Sequence, residues 1–301
     1  MITLIHNGNY EEYKLDDNSN ARSLAILLTC FNRVDFSTQC LKRVYQQDSL
    51  NKIQFDIYLV DDGSTDGTSE KISNLFPDVK VLKGEGSLYW AGGMRKAFGE
   101  AINFGYDFYL WLNDDTFLYS NALKQLFSTY DHMAHQENGP VMIVGSTLDV
   151  ERRELSYGGV IRSEGGHRMS FTRVLPGEEP KQCHTINGNC VLIPHPVVQR
   201  VGNLDPCFSH SMGDFDYGFR AVRQGCTIWV HPGFVGTCSL NDGGGGWSDR
   251  SLPFRQRWKI LMSPKGLPPR EYWFFVRRHA GRIWLLHWIW LYAKVLASCW
   301  R

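Results

Sequence analysis

Short, predominantly apolar runs recur along the first third of this chain: LAILLT (24–29), FDIYLV (55–60), VKVL (79–82) and FYLWL (108–112). A strand with one face in water alternates apolar and polar residues, whereas a strand that is apolar throughout is covered on both faces. The segments between them carry helical period. Phe36, Cys40, Leu41 and Val44 share one face of a helix expected over 35–47, TDGTSEKISNLF reads as a helix with Thr68 as its cap, and GGMRKAFGEAINFGY supplies a third. Strands alternating with helices predict an α/β fold with a mostly parallel sheet flanked by helices.

The second half changes texture. VMIVGSTLD (141–149) reads as another strand, while ELSYGGVIR and HRMSFTRVL suggest a smaller antiparallel ribbon. NGNCVLIP (187–194) reads as a strand, GDFDYGFRAVRQG (213–225) as a helix closed by Gly225, and TIWVHP as a further strand.

In a parallel sheet, ligands bind beyond the carboxyl ends of the strands. Thr29, Asn32 and Arg33, then Asp61-Asp62, then Asn113-Asp114-Asp115 all follow strand ends, so they converge on one crevice. Adjacent carboxylates repel and need a cation, a nest of donors or full solvation. A divalent Mg²⁺ or Mn²⁺ answers that need, since both take hard oxygen ligands, including those of phosphates. A solvated polar turn explains either pair alone. Two acidic clusters ending two strands of one sheet point instead to a crevice for a nucleoside diphosphate and a metal.

Neither GxGxxG nor GxxxxGK[ST] is present, so a dinucleotide fold and a P-loop are unsupported. The glycine-rich GEGSLYWAGG (84–93) precedes a helix and can approach phosphates. Trp90, Gly93 and Arg95 are therefore assigned to the nucleotide side of the crevice, with burial in the core as the alternative for Trp90. Asp214 stands near a helix start, which suits either a cap or a base kept deprotonated. Asp216 and Arg220 are spaced for an i,i+4 ion pair. His231, after a strand, is a metal ligand or a structural histidine. Trp247 follows GGGG (243–246), a stretch read as a lid or a flexible connection.

The formal net charge of +1 gives no basic surface for nucleic acid. Eight cysteines without a CxxC pair read as reduced thiols, and the amino terminus lacks a basic start and apolar run, so a cytoplasmic location is expected. Near the other end, the run 283–300 is at the lower limit for spanning a bilayer, and His287 and Lys294 interrupt it. Its tryptophans, and Arg277, Arg278 and Arg282 ahead of it, favour a peripheral in-plane helix at the inner face of the cytoplasmic membrane. Packing on the protein or in a homodimer is the competing reading.

VDDGSTDGT after one strand, LNDDT after a later one and GDFDYGFRA–x3–G in the second half, in this order, resemble the inverting family 2 glycosyltransferases of the GT-A fold. The likeness spans roughly residues 22 to 280 and is nearest to the bacterial rhamnosyltransferase-like enzymes of surface polysaccharide synthesis (O-antigen, capsule or similar). It implies a Rossmann-like nucleotide-diphospho-sugar transferase, with an extension at 1–21, a catalytic domain at 22–262 and a helical carboxyl-terminal segment at 263–301. Within the domain, 22–120 takes the nucleotide sugar and 140–262 the acceptor, with Asp216 and Trp247 assigned to the acceptor side or its lid. By resemblance, Asp61 and Asp62 hold base and ribose, and Thr29, Asn32 and Arg33 line the same pocket. Asn113-Asp114-Asp115 matches the DXD motif with Asp115 as principal ligand of Mn²⁺ or Mg²⁺, and Asp214 matches the general base. His231 or Cys238 completes the metal site. The implied donor is a dTDP- or UDP-sugar, and the implied acceptor a hydroxyl of a glycan or lipid-linked oligosaccharide. Asn113 and Gly213 depart from the pattern, replacing an Asp and a Glu. They keep open a non-catalytic carbohydrate-binding or scaffold relative. A sugar nucleotidyltransferase, the third reading, lacks its early glycine-rich loop with Arg and Lys around 24–45.

Overall fold

The computed structural model describes residues 2–6, 9–13, 21–48, 53–163, 169–240 and 246–297. β1 (Ile2–His6) and β2 (Asn9–Tyr13) pair antiparallel as a separate ribbon. There follow β3 (Arg22–Cys30), α1 (Val34–Tyr45), β4 (Ile53–Asp61), α2 (Thr68–Leu75), β5 (Lys80–Lys83), α3 (Tyr89–Ile102) and β6 (Phe108–Leu112). β3 lies parallel to both β4 and β6, and β4 parallel to β5, as the apolar runs require.

Alternate residues of these strands feed two cores. Leu24, Ile26 and Leu28 of β3, with Phe108, Leu110 and Leu112 of β6, pack on the side of α1, α2 and α4 (Ala122–Gln136). Ala25 and Leu27, with Tyr109 and Trp111, pack on the side of α3, α5 (His195–Val201) and α6 (Gly213–Arg223). A sheet buried on both faces between two helical layers is the result.

The chain then adds β7 (Phe117–Leu118), β8 (Val141–Asp149), β9 (Glu154–Tyr157), β10 (Gly159–Arg162), β11 (Phe171–Arg173), β12 (Lys181–Gln182), β13 (Thr185–Ile186), β14 (Cys190–Pro194) and β15 (Thr227–Thr237). The order across the main sheet is β12-β15-β8-β14-β6-β3-β4-β5, with β7 on β15 and β9 on β8. β8 and β15 are parallel, but β14 runs antiparallel to both its neighbours, β6 and β8. Its amino end therefore sits at the same sheet edge as the carboxyl ends of the parallel strands. β11-β10-β13 form the small antiparallel sheet.

Several boundaries differ from expectation. ELSYGGVIR divides between the two sheets, with β9 in the large one and β10 in the small one. Residues 164–168 of the ribbon and 241–245 of the glycine loop lie outside the described residues. Thr68 is not the cap of α2. The helix follows Gly67 at φ +79°, and the Asp66 carboxylate accepts the Thr68 N–H at 3.1 Å.

α7 (Phe254–Met262), α8 (Pro269–His279), a 3₁₀ turn (Gly281–Ile283) and α9 (Trp284–Ala297) complete the fold around a third core that includes Leu261, Tyr272, Val276, Tyr292 and Val295. α9 folds back on α8, with Trp273 edge-on to Trp284 at 4.4 Å. Among the described residues no helix is long and apolar enough to cross a membrane.

Candidate active site

The strand-end residues knit the crevice before any ligand is considered. Asn32 donates its N–H to Ser64 Oγ at 2.8 Å and accepts the Thr65 N–H on its side-chain oxygen at 2.7 Å, joining the loops after β3 and β4. Asp61, buried, accepts the Ser64 N–H at 2.9 Å and the Ser69 hydroxyl. Asp62, also buried, accepts N–H groups from Gly86 (2.9 Å), Leu88 (2.9 Å) and Tyr89 (3.0 Å), which fixes the approach to α3. Thr29 lies directly under that helix: a Cβ on Gly93 would fall 2.0 Å from its hydroxyl. Arg95, half-buried on α3, donates to the Phe208 carbonyl at 3.2 Å.

The acidic pair after β6 is bridged by a cation from the neighbouring strand end. Arg33 Nη1 lies 2.9 Å from Asp114 and 2.8 Å from Asp115, with its guanidinium over the Phe36 ring. Burial pushes the Asp114 carboxyl up to about 7, with Arg33 opposing the shift. Asp115 receives the Cys238 thiol at 3.5 Å.

The donor set tests whether a divalent cation fits. Two carboxylates suit Mg²⁺ or Mn²⁺, and Mg²⁺ commonly binds through one or two carboxylates plus substrate phosphates. Cys238 stands beside the set, its thiol 3.5 Å from Asp115 and pushed up to about 12 by burial and Asp115, and its soft sulfur is a poorer match for Mg²⁺ or Mn²⁺ than a carboxylate oxygen. His231 does not join the set, which corrects the sequence assignment. β15 continues to Thr237, so His231 stands up to roughly 20 Å back along the strand from Cys238. There its Nδ1 pairs with the Thr129 hydroxyl of α4 at 2.7 Å, and burial lowers its pKa to about 4. Among the described residues no three His, Cys, Asp or Glu surround one cation position. The two carboxylates have the donor chemistry to hold one divalent cation in place of Arg33.

Trp90 connects this loop to Asp214. Its indole N–H donates to Asn113 Oδ1 at 2.7 Å, so an amide here serves as the acceptor for that donor. Trp90 also covers Gly188, where a Cβ would meet the ring at 2.3 Å. Gly188 in turn donates its N–H to Asp214 Oδ2 at 3.0 Å, and the Phe215 N–H meets Oδ1 at 2.8 Å. Part of Asp214 reaches solvent, yet its carboxyl group is enclosed, and burial pushes its pKa up to about 6 against the pull of these N–H bonds. Gly213 has a steric reason: a Cβ there would lie 2.9 Å from Ala91 Cβ, where α6 abuts α3.

Asp216 does not face the crevice, a second correction. It is wholly buried and bonded to Arg220 Nε (2.8 Å), Arg278 (3.1 Å) and His279 Nε2 (2.9 Å), tying α6 to α8. The expected i,i+4 pair with Arg220 is present. Trp247 packs against the third core, its carbonyl accepting from Arg257 at 3.1 Å.

Sequence reasoning passed over Gly188 and Asn189. Asn189 accepts the Asn113 N–H on its carbonyl at 3.0 Å and offers its amide to Cys238 at 3.6 Å. The available signal was the NGN tripeptide ahead of an apolar run.

A model of glycosyl transferase family 2 matches residues 25–202. No curated protein matches by sequence. Among solved structures, a mannosyltransferase from Pyrobaculum calidifontis, in complex with GDP-Man and Mn²⁺, is similar over 94% of this chain and 75% of its own, with 12% identity and TM-score 0.55. S. aureus TarS 1–349 is similar over 83% and 68%, with 14% identity and TM-score 0.53. Its complex with UDP aligns over 85% and 70%, with 14% identity and TM-score 0.52. At these identities the likeness establishes the fold, the GT-A arrangement expected from the motifs.

Proposed function

Because this chain belongs to glycosyl transferase family 2, we propose that it moves a sugar from a dTDP- or UDP-linked donor to a hydroxyl of a glycan or lipid-linked acceptor, inverting the anomeric configuration. The setting is bacterial surface polysaccharide synthesis at the cytoplasmic side, and rhamnosyl transfer is the nearest activity by motif. One observation carries the reading: Trp90 joins the Asp114–Asp115 loop, through Asn113, to Gly188 and the base candidate Asp214.

Asp214 has a pKa of about 6 and so is mostly deprotonated at neutral pH while basic enough to accept a proton. It takes the proton of the acceptor hydroxyl as that oxygen attacks the anomeric carbon. The carbon–oxygen bond to the nucleoside diphosphate breaks on the opposite face. One displacement inverts configuration, as in the base half of inverting glycoside hydrolysis, with a sugar hydroxyl in place of water. The Gly188 and Phe215 N–H groups hold the carboxylate in orientation through the step. Arg33, released from the carboxylates, faces the departing diphosphate. Asp115 and Asp114 would hold a Mn²⁺ or Mg²⁺, which would supply charge neutralisation to the leaving group. Residues 22–120 thus serve the donor and 140–262 the acceptor.

The test is release of nucleoside diphosphate from a panel of UDP-, dTDP- and GDP-sugars, with Mn²⁺, Mg²⁺ or EDTA, in the wild type, Asp115→Ala and Asp214→Asn. Turnover of one donor, lost in both variants, supports the assignment. No turnover of any donor, even with lipid-linked glycan supplied, would leave a carbohydrate-binding relative.

A further inference from the structure

α9 buries one face and leaves the other bare. Its inner face is pinned by Trp288 Nε1–H to the Pro269 carbonyl (2.9 Å) and the Tyr292 hydroxyl to the Leu267 carbonyl (2.7 Å), with Val295 in the third core. Opposite them, Leu286 is 63% and Trp290 68% exposed, and Ile283, Ile289 and Leu296 are exposed beside them. Patches of more than a few hundred Å² are uncommon on soluble monomers, and one this rich in large side chains marks a docking surface.

Charge says what covers it. Residues 253–297 hold nine Lys and Arg against a single acid, Glu271, although the whole chain carries 32 basic and 31 acidic residues. The rest of the chain is therefore net negative, and the excess of cations falls on this segment, where Arg257 is buried and Arg278 is engaged by Asp205 and Asp216 but Arg282 and Lys294 are exposed. Glu271 is itself engaged by Ser209 at 2.6 Å. Arg282 is exposed just before α9, and Lys294 follows Leu286 and Trp290 at i+4 intervals on the same stripe. An apolar stripe with an interfacial tryptophan and a lysine long enough to snorkel matches the boundary of an anionic bilayer.

We propose that the outer face of α9 docks in plane on an anionic lipid surface. The placement has a consequence for the site. α8, to which α9 is packed, sends Arg278 and His279 to Asp216, two residues after Asp214. The lipid-facing helix is thus joined, through the Arg278–Asp216 ion pair and the His279–Asp216 hydrogen bond, to the helix that begins beside the proposed base, so docking orients that side of the crevice relative to the membrane. The docking inference itself does not depend on the transferase reading.

The experiment is co-sedimentation of the full chain with vesicles of pure phosphatidylcholine or of phosphatidylcholine with phosphatidylglycerol. Size-exclusion chromatography and melting temperature are measured in parallel. The wild type binds the anionic vesicles and leaves the neutral ones largely free. Leu286→Glu/Trp290→Glu, altering only exposed side chains, loses binding with its melting temperature unchanged. Arg282→Glu/Lys294→Glu weakens it about tenfold or more, each cation near an anionic surface contributing several-fold. Absence of vesicle binding by the wild type overturns the proposal, as does equal binding by the apolar double variant. A dimer that dissociates in Leu286→Glu/Trp290→Glu, without vesicle binding, would assign the face to a second copy instead.

Discussion

Asp216→Asn should damage the fold and leave the chemistry in place. The carboxylate is wholly buried, with Oδ1 shared by Arg278 and His279 and Oδ2 facing Arg220. Asparagine keeps the shape but supplies one acceptor oxygen and sets an NH₂ group against a cation. Removing one partner of a buried pair costs about 3–5 kcal/mol. Arg220 retains the Val201 and Asn203 carbonyls, and Arg278 retains Asp205 at 2.6 Å. The lower end, about 3 kcal/mol, is therefore expected. An unfolding entropy of roughly 2.1 cal/mol/K per residue over this chain converts that to a fall in Tm of about 5 °C. Burial works against the charge on Asp216, yet His279 and Arg220 hold its pKa below the usual carboxylate range. Its contribution is thus present above the unfolded value of about 4 and is lost as pH falls below it. The gap between wild type and variant should be full at neutral pH and narrow in acid. Thermal unfolding followed by circular dichroism at several pH values reads the gap, and donor turnover well below Tm reads the chemistry. An unchanged Tm with a raised acceptor KM would mean that Asp216 meets the acceptor after all, and the buried-network reasoning would fail.

Four further outcomes are expected. At saturating Mn²⁺, where a bound cation would keep Asp114 and Asp115 ionised, the kcat/KM profile should lose activity tenfold per pH unit below about 6, the value to which burial lifts Asp214; an acid limb near 4, or one that persists in Asp214→Asn, would remove Asp214 as its source. Arg33→Ala removes the cation that pairs with Asp114 and Asp115. Mn²⁺ binding without donor, read by electron paramagnetic resonance, should tighten about two- to fivefold, and weaker binding would show that Arg33 does not compete. Gly213→Glu restores the family carboxylate but drives a Cβ to 2.9 Å from Ala91, so unfolding should show a loss of about 1–3 kcal/mol without faster turnover; a faster enzyme with the parent's Tm would refute the steric account. Gly188→Ala places a methyl 2.3 Å from the Trp90 ring and 3.4 Å from Asp214 Cβ; donor KM and kcat should both suffer, and wild-type kinetics would mean that the contact yields freely.

The parallel sheet was legible because β3, β4 and β6 are buried on both faces, a condition that writes apolar runs into the sequence. Strand ends then located Asn32, Arg33, Asp61, Asp62 and Asn113–Asp115 without further information. What escaped depends on atoms that the sequence does not advertise. Gly188 and Asn189 act through backbone N–H and C=O groups, which every residue type carries. Asp216 was paired correctly with Arg220 four residues on, but Arg278 and His279 stand 62 and 63 residues away and arrive only through the packing of α8. His231 was taken for a residue beyond a strand end, whereas β15 continues to Thr237 through register shifts between Val230, Phe234 and Gly236. Bulges lengthen a strand without a periodic signature.

The reversed strand β14 is what makes a single site of two halves. Were β14 parallel to β6, its amino end would lie at the far edge of the sheet, and Gly188-Asn189 would be remote from Asn113. Running antiparallel, it enters the sheet beside the carboxyl end of β6, with Cys190 opposite Leu112 and the Asn189 carbonyl on the Asn113 N–H. Its lead-in thus reaches the acidic loop, and the next residue back, Gly188, holds Asp214 of α6. Trp90 closes the same contact from the amino end of α3. The acidic loop and the base candidate are therefore positioned by one short backbone segment rather than by two independent loops. Motion of that segment would shift the acidic loop and the base candidate together, which suits the proposed displacement, whose leaving group and nucleophile must stay in line.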